Sequence, residues 1–396
     1  LITDTVGRGV TLSYNANRLL ETITDPAGRT VHYVYDANGR LISDTDANGA
    51  IMQYHYSAEG LMDVITDRRG NTLIANTYDT EKRAIRQLNG KGAQTLFAYD
   101  TPNPGDTQLT DPLGHIVIHT HDDLSRLISE TDPLGHKTQY VYDTDNNRIE
   151  VIDKNGQNTA FTYDTQGNVL SKTDAQGNTT SLEYNSLNDP TRIIDALGQI
   201  TTFAYNAKGN LNELTDALGH KTNVIYNAFG QAASVTDALG SVTLNTFNTQ
   251  GNLTQVEDAL GHKTTLNYDV IGQRISMIDA NAHASNFNYD NNGNLIAVTD
   301  PLGNSTHFSY DANNNRTSVT DPRGNATAFV YDANDLLSKA TDPLGNFVHV
   351  AYDAADNRIA ITDRLGNTTQ YAYDAANRLT QITDALSQTS TLAYDA

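Results

Sequence analysis

The stretch that decides the fold runs from Asp195 to Asp216: Asp195-Ala-Leu-Gly-Gln-Ile-Thr-Thr-Phe-Ala-Tyr205-Asn-Ala-Lys-Gly-Asn-Leu-Asn-Glu-Leu-Thr-Asp216. It begins and ends on the same motif, 21 residues apart. Thr201-x-Phe203-x-Tyr205 places its large side chains two apart, on one face of a strand. Leu211-x-x-Leu214-Thr215 leads back into the Asp turn. Asp-Pro/Ala-Leu-Gly is turn chemistry: the Asp side chain accepts from the backbone, Pro pre-sets φ, and Gly takes the left-handed residue after a type I turn. That combination predicts a three-residue hairpin loop with a bulge. A second turn of the form Asp-x-x-Gly-Asn/Arg, as in Asp36-Ala-Asn-Gly-Arg40, links one hairpin to the next.

Working outward, the Tyr slot recurs along all 396 residues, from Tyr14 to Tyr394. His121 and Phe247 fill it in two repeats, and from His121 onward the interval is always 21. Single insertions fall only between Tyr56 and Tyr78 and between Tyr99 and His121. Ala282 and Ser387 stand where the turn Gly is expected, and Asn89 replaces one turn Asp. The expectation is one array over 1–396 of about 19 repeats, least regular over about 78–121. The expectation is also that it is a segment of a longer chain, since Leu1 is not an initiator Met and Tyr394-Asp395-Ala396 stop inside a motif. No amphipathic helix interrupts the pattern, so the fold class is all-β: a long, coiled antiparallel sheet of β-hairpin repeats.

About 38 strands spaced about 4.8 Å apart would make a sheet roughly 180 Å wide and about 20 Å tall. Open twisted sheets rarely exceed about ten strands without curling. The sheet is therefore expected to coil. Closed into a single ring it would be about 55–60 Å across, wider than any packed side-chain core. Tyr in place of Phe suits a half-wet lumen in which the hydroxyl stays hydrated.

Composition narrows the function. With 47 acidic and 26 basic residues the formal charge is −21. That disfavours nucleic acid, whose phosphates require a basic face, and anionic membranes. No apolar run is long enough for a membrane helix, and without Cys there is neither a disulfide framework nor a thiolate metal site.

The candidate chemistry is sparse. Turn Asp residues such as Asp195, Asp216 and Asp237 recur once per repeat, about 10 Å apart. Calcium oxygens must lie at about 2.3–2.6 Å, so these carboxylates read as turn caps. His119 and His121 share a strand face and could chelate a metal, but they occupy aromatic slots. His115, His136, His220 and His262 follow the turn Gly, where Asn stands elsewhere. Thr80–Asp111 is the odd stretch, with Lys82, Arg83, Arg86 and Lys91 followed by the loop Thr101-Pro-Asn-Pro-Gly-Asp106. It reads as a decayed repeat with a surface loop, or as a contact for a cap, plug or neighbouring chain. No catalytic, cofactor-binding or metal-binding residue is assigned, and no cofactor.

The tandem pattern Tyr-Asp-x-x-Gly-Asn/Arg-Leu … Thr-Asp-Pro-Leu-Gly-Asn-x-Thr, from Ile2-Thr3-Asp4 to Tyr394-Asp395, resembles the RHS/YD-repeat family. That family includes Rhs polymorphic toxins, the C components of insecticidal Tc toxins, bacterial wall-associated proteins and teneurins. The resemblance implies a hollow β-shell, which in the bacterial toxins encloses a C-terminal toxin domain. It further implies a non-enzymatic wall segment, secreted or at the bacterial cell surface. The partners would be the cap, core and toxin domains of the same chain, or neighbouring repeat subunits. The self-cleaving core of the family has no match here. Two other classes compete: an extracellular structural, adhesive or filament-forming protein, favoured by the near-identical repeats, and a glycan-binding or hydrolytic domain. No carboxylate pair at glycosidase spacing stands out for the last.

Overall fold

The computed structural model describes residues 1–3 and 7–396; Asp4, at the first turn, lies outside them. The chain forms 38 β-strands, from Ile2–Thr3 to Thr389–Thr391, and no helix among the described residues. Each strand pairs antiparallel with the next in sequence. The all-β hairpin array expected from the sequence is thus the fold.

Two kinds of hairpin alternate. Leu211–Thr215 and Lys221–Tyr226 join through the turn at Asp216 (the Thr-Asp turn) and share the pairs Glu213↔Asn223, Leu214↔Thr222 and Thr215↔Lys221. Ile200–Tyr205 and Leu211–Thr215 join through the turn at Asn206 (the Tyr-Asp turn), with pairs from Thr202↔Thr215 to Tyr205↔Leu211 and a bulge between Ala204 and Tyr205. Both turns have one geometry. In the Thr-Asp turn at Asp300, Gly303 N donates to the Asp300 carbonyl at 3.0 Å and Asp300 N to the Asn304 carbonyl at 2.9 Å. Asp300 Oδ1 accepts from Leu302 N and Asn304 N, both at 2.9 Å, and its Oδ2 accepts from Asn304 Nδ2 at 2.9 Å. The left-handed residue is usually Gly, such as Gly219 at φ 83°, but Ala282 and Ser387 take it at 64° and 63°.

The side-chain donor after the Gly explains the histidines. His220 Nδ1 meets Asp216 Oδ2 at 2.9 Å and His262 Nδ1 meets Asp258 Oδ2 at 2.9 Å, where Arg40 Nε donates to Asp36 Oδ2 at 2.7 Å. Asn, Arg and His are thus interchangeable, because each brings one N–H to the second carboxylate oxygen.

The strand faces differ. Thr201, Phe203 and Tyr205 are half-buried while Thr202 and Ala204 are exposed. No large side chain is fully buried, and Leu266 and Ala297 are the buried apolar residues among those described. A packed globule of 43.1 kDa would expose about 15,000 Å²; this chain exposes 22820 Å². The sheet is a single layer with no second sheet against it.

Its curl is a spiral and not one ring. Arg8 Nη1 donates to Asn252 Oδ1 at 3.4 Å, and Asn48 N to Asn292 Oδ1 at 3.1 Å, both 244 residues apart. Twenty-three strands lie between Asn48 and Asn292. At about 4.8 Å per strand this gives a coil about 35 Å across. The coil is narrower than the roughly 55–60 Å of a single closed ring, because the strands are shared between a complete coil and a partial second one.

The tyrosine argument is also corrected. The hydroxyl is not left to water. Tyr205 Oη donates to the Pro190 carbonyl at 2.8 Å, and the same bond to the carbonyl fifteen residues earlier recurs at Tyr142, Tyr226, Tyr310 and Tyr373. Pro190 lies past the last paired residue of the three-pair hairpin, where Arg192↔Thr202 ends the register. Its carbonyl lacks a strand partner on that side, and the phenol supplies one.

Candidate functional site: the seam between coils

Where the second coil passes the first, Thr-Asp turns of the first meet Tyr-Asp turns of the second. The sequence makes this contact polar. At the first station Asn48 Nδ2 donates to Asp290 Oδ2 at 2.9 Å, and Asn292 Nδ2 returns a bond to Asp46 Oδ2 at 2.9 Å. One repeat on, Asn313 Nδ2 donates to Asp67 Oδ2 at 2.7 Å. Burial of Asp67 raises its pKa, but the bonds from Asn313 and Asn71 outweigh this and hold the carboxyl below its ordinary value. Asp290 behaves likewise: burial opposes, and bonds from Asn294 and Asn48 lower it.

Cations lock this station and the next. Arg69 Nη2 lies 2.7 Å from Asp335 Oδ1 and donates to the Asp332 carbonyl at 2.7 Å, with Asp311 at 3.7 Å. Lys91 Nζ lies 2.6 Å from Asp356 and 3.5 Å from Asp332. Burial works against the Lys91 charge, yet the two carboxylates raise its pKa. Asp335 and Asp356 are themselves left-handed, at φ 63° and 65°. They occupy the usual Gly position of their turns, so the acidic groups that receive the cations replace glycine. Beside Lys91, Gly90 approaches the other coil so closely that a Cβ would collide with the Ala333 carbonyl.

This changes the reading of Thr80–Asp111. Its irregular turn, Asn89-Gly-Lys-Gly92, is a coil-to-coil contact, whereas Arg83 stays within its own neighbourhood, pairing with Asp79 at 2.9 Å. The loop at Thr101–Asp106 is local: Asp106 is buried and accepts from Asn103 Nδ2 at 2.9 Å and Thr120 Oγ1 at 2.6 Å. Sequence reasoning missed Arg68 and Arg69. The signal was present, because Asp67-Arg-Arg-Gly70 is doubly basic in a turn that often carries Pro or Ala followed by Leu, as at Asp132 and Asp216. Arg68 turns along its own coil, pairing with Asp44 and with Asp46 at 3.1 Å. Tyr54 donates to Asp44 at 2.7 Å, and burial and then this bond push its pKa up to about 12.

His119 and His121 do share a strand face, their rings edge to face at 6.5 Å, and His119 Nε2 lies 3.5 Å from Glu130. No group of three or more His, Asp or Glu placed to hold a metal occurs among the described residues. The turn carboxylates spend their oxygens on their own backbone, as at Asp216, where Oδ1 accepts from Leu218 N and His220 N.

A single-layer hairpin sheet wound into a spiral and sealed turn to turn defines a β-shell repeat protein. The RHS Repeat model matches residues 35–72 and a run of overlapping copies over 289–396, and the Teneurin YD-shell model matches 115–275. The chain belongs to the RHS/YD-repeat family. Comparison with curated proteins finds no match. Among solved structures, a chain of the TcdB2-TccC3-Cdc42 crystal structure aligns with TM-score 0.58 at 15% identity, over 95% of this chain and 24% of that one. TcdB2-TccC3 without its hypervariable C-terminal region gives 0.57 at 15%, over 96% and 26%. At this identity the likeness concerns the fold, and the chain spans about a quarter of those chains.

Proposed function

We propose that the chain is a non-enzymatic length of wall in a hollow β-shell that encloses a toxin or effector carried by the same polypeptide and helps deliver it. The observation that supports this most is the seam. Hydrogen bonds and ion pairs from Arg8–Asn252 to Lys91–Asp356 close the gap between successive coils, so the spiral makes a continuous wall and not a loose ribbon. The absence of a packed interior leaves the space inside the coil for another occupant. The resemblance to the TcdB2-TccC3 structures supports the same reading. In it the wall's partners are other segments of its own chain or neighbouring toxin components, and the protein works outside the producing cell. The half-buried Phe203–Tyr205 face would line the lumen, since the concave side of a coil crowds its side chains.

Electron microscopy of the intact parent protein tests this. Closed particles with density inside support an encapsulating wall. Empty, open tubes would replace it with the structural, filament-forming alternative.

A further inference from the structure

Arginine takes two places after the Tyr-Asp turns, one residue apart, and the difference decides where its charge goes. In Asp36-Ala-Asn-Gly-Arg40 and Asp374-Ala-Ala-Asn-Arg378 the arginine answers its own turn, with Nε donating to the second carboxylate oxygen at 2.7 and 2.8 Å. In Asp143-Thr-Asp-Asn-Asn147-Arg148 an asparagine fills that place, and Asn147 Nδ2 donates to Asp143 Oδ2 at 3.0 Å. Asn315 and Asn357 do the same for Asp311 and Asp353, at 3.2 and 3.1 Å. The arginine that follows, Arg148, Arg316 or Arg358, is released from the turn and opens the next strand. Arg274, after Gln273, stands in the same place.

All four side chains lie on the Phe–Tyr face. The Arg148 guanidinium sits over the Tyr140 ring at 5.4 Å, Arg274 over Phe287 at 4.6 Å, Arg316 over Phe329 at 5.4 Å and Arg358 over Tyr371 at 4.8 Å. All four are exposed, and no carboxylate among the described residues pairs with any of them. Acidic residues that share this face are already engaged. Asp44, opposite Tyr33, is held by Arg68 and Tyr54, and Glu130, opposite His119, lies 3.5 Å from that ring.

A stacked guanidinium keeps its charge and leaves its donor edge free for a planar, bidentate partner. Leu295, Leu337 and Leu379 fill the same row in the intervening repeats, so the fold makes no use of the charge. Arg274, Arg316 and Arg358 alternate with these leucines, four strand spacings or about 19 Å apart along the sheet. That spacing suits a partner with scattered negative charges. A nucleic-acid strand, with a phosphate about every 3.4 Å, would leave most of its charge unanswered against an acidic wall. A polypeptide can present single carboxylates where the arginines stand, each accepting two parallel N–H bonds.

We infer that the Phe–Tyr face receives an acidic polypeptide segment, whose Asp and Glu side chains pair with Arg148, Arg274, Arg316 and Arg358. The inference rests on the reading of that face as the lumen wall and names the chemistry of what the wall encloses: the part of the occupant against this stretch is rich in carboxylates.

Fluorescence anisotropy of a labelled Glu-rich peptide with the chain tests it, against the same peptide carrying Gln in place of Glu. The Glu peptide should bind at least about tenfold more tightly. The changes Arg148→Leu, Arg274→Leu, Arg316→Leu and Arg358→Leu together should cut that preference to about twofold or less. Circular dichroism should stay as in the wild type, since leucine is native to the row. Arg323→Ala with Arg364→Ala, exposed cations in Thr-Asp turns, should leave the preference unchanged. Equal binding of the two peptides overturns the inference, and so does a loss shared equally by the two variants. Tighter binding of a single-stranded oligonucleotide than of the Glu peptide overturns it in favour of a phosphate-reading face. Closed, filled particles whose chain shows no preference for the Glu peptide would remove this inference and leave encapsulation standing. Empty tubes that keep the preference would remove encapsulation and leave the acidic partner.

Discussion

The hydroxyl of Tyr205 donates to the carbonyl of Pro190, 2.8 Å away in the preceding repeat. The bond serves a backbone group that the short hairpin leaves unpaired. The slot filled by Phe247 shows how firmly that carbonyl requires a donor: with no phenol present, Asn245 Nδ2 donates to the Ala232 carbonyl at 2.9 Å.

Tyr205→Phe should therefore destabilise the chain by about 0.5–1.5 kcal/mol, the net worth of one hydrogen bond. Asn245→Ala should cost about the same, because it orphans the equivalent carbonyl. Hydrogen exchange should locate both losses in the affected repeat and its neighbours, as expected where each repeat contacts chiefly those beside it.

Two glycines should fail for different reasons. Gly219 has φ +83° and nothing within 4 Å of an added Cβ. Gly219→Val should cost about 1–3 kcal/mol of backbone strain and leave the seam intact. Gly90 has no positive φ, but its Cβ would strike the Ala333 backbone. Gly90→Ala should open the seam locally, and amide exchange around Ala333, 243 positions away in sequence, should rise while exchange around Gly219 does not.

The Arg69–Asp335 pair should couple the coils. Arg69→Ala and Asp335→Ala should each cost about 1–2 kcal/mol, and the double variant should cost less than their sum, measured by denaturant unfolding. Strict additivity would remove the pair from the seam.

Acid should loosen the whole array. Hydrogen bonds hold carboxyls such as Asp300, Asp67 and Asp290 below their ordinary values. A carboxyl whose folded pKa is depressed stabilises the fold above its unfolded pKa of about 3.9, and that stability disappears as pH falls through the lower folded value. Melting temperature should stay nearly flat from neutrality to about pH 5 and drop below about pH 4.

Most of the wall was legible in the sequence because each repeat is local. The period, both turns, the left-handed Gly and the strand faces follow from residues within about twenty of one another. The turn histidines became intelligible once the second carboxylate oxygen was seen to need a donor. That the sheet coils was legible, but the number of strands per coil was not, because the advance depends on small twists summed over twenty-three strands. Nothing in the spacing of Asn48 and Asn292 announces that they touch. Lys91 stood out as a basic residue in an irregular turn and Arg69 went unremarked, and what they answer to, Asp356 and Asp335, lies a full coil away.

That advance of 244 residues is the central claim, and thiol cross-linking tests it directly. The chain has no Cys, so Asn48→Cys with Asn292→Cys gives one defined pair. A short thiol-to-thiol linker should join them in high yield. The pairs Asn48→Cys with Ile271→Cys or Asn313→Cys, one repeat to either side, should link poorly. Linkage at neither position, or equally at all three, would contradict a spiral of this pitch and return the sheet to a wider, looser curl.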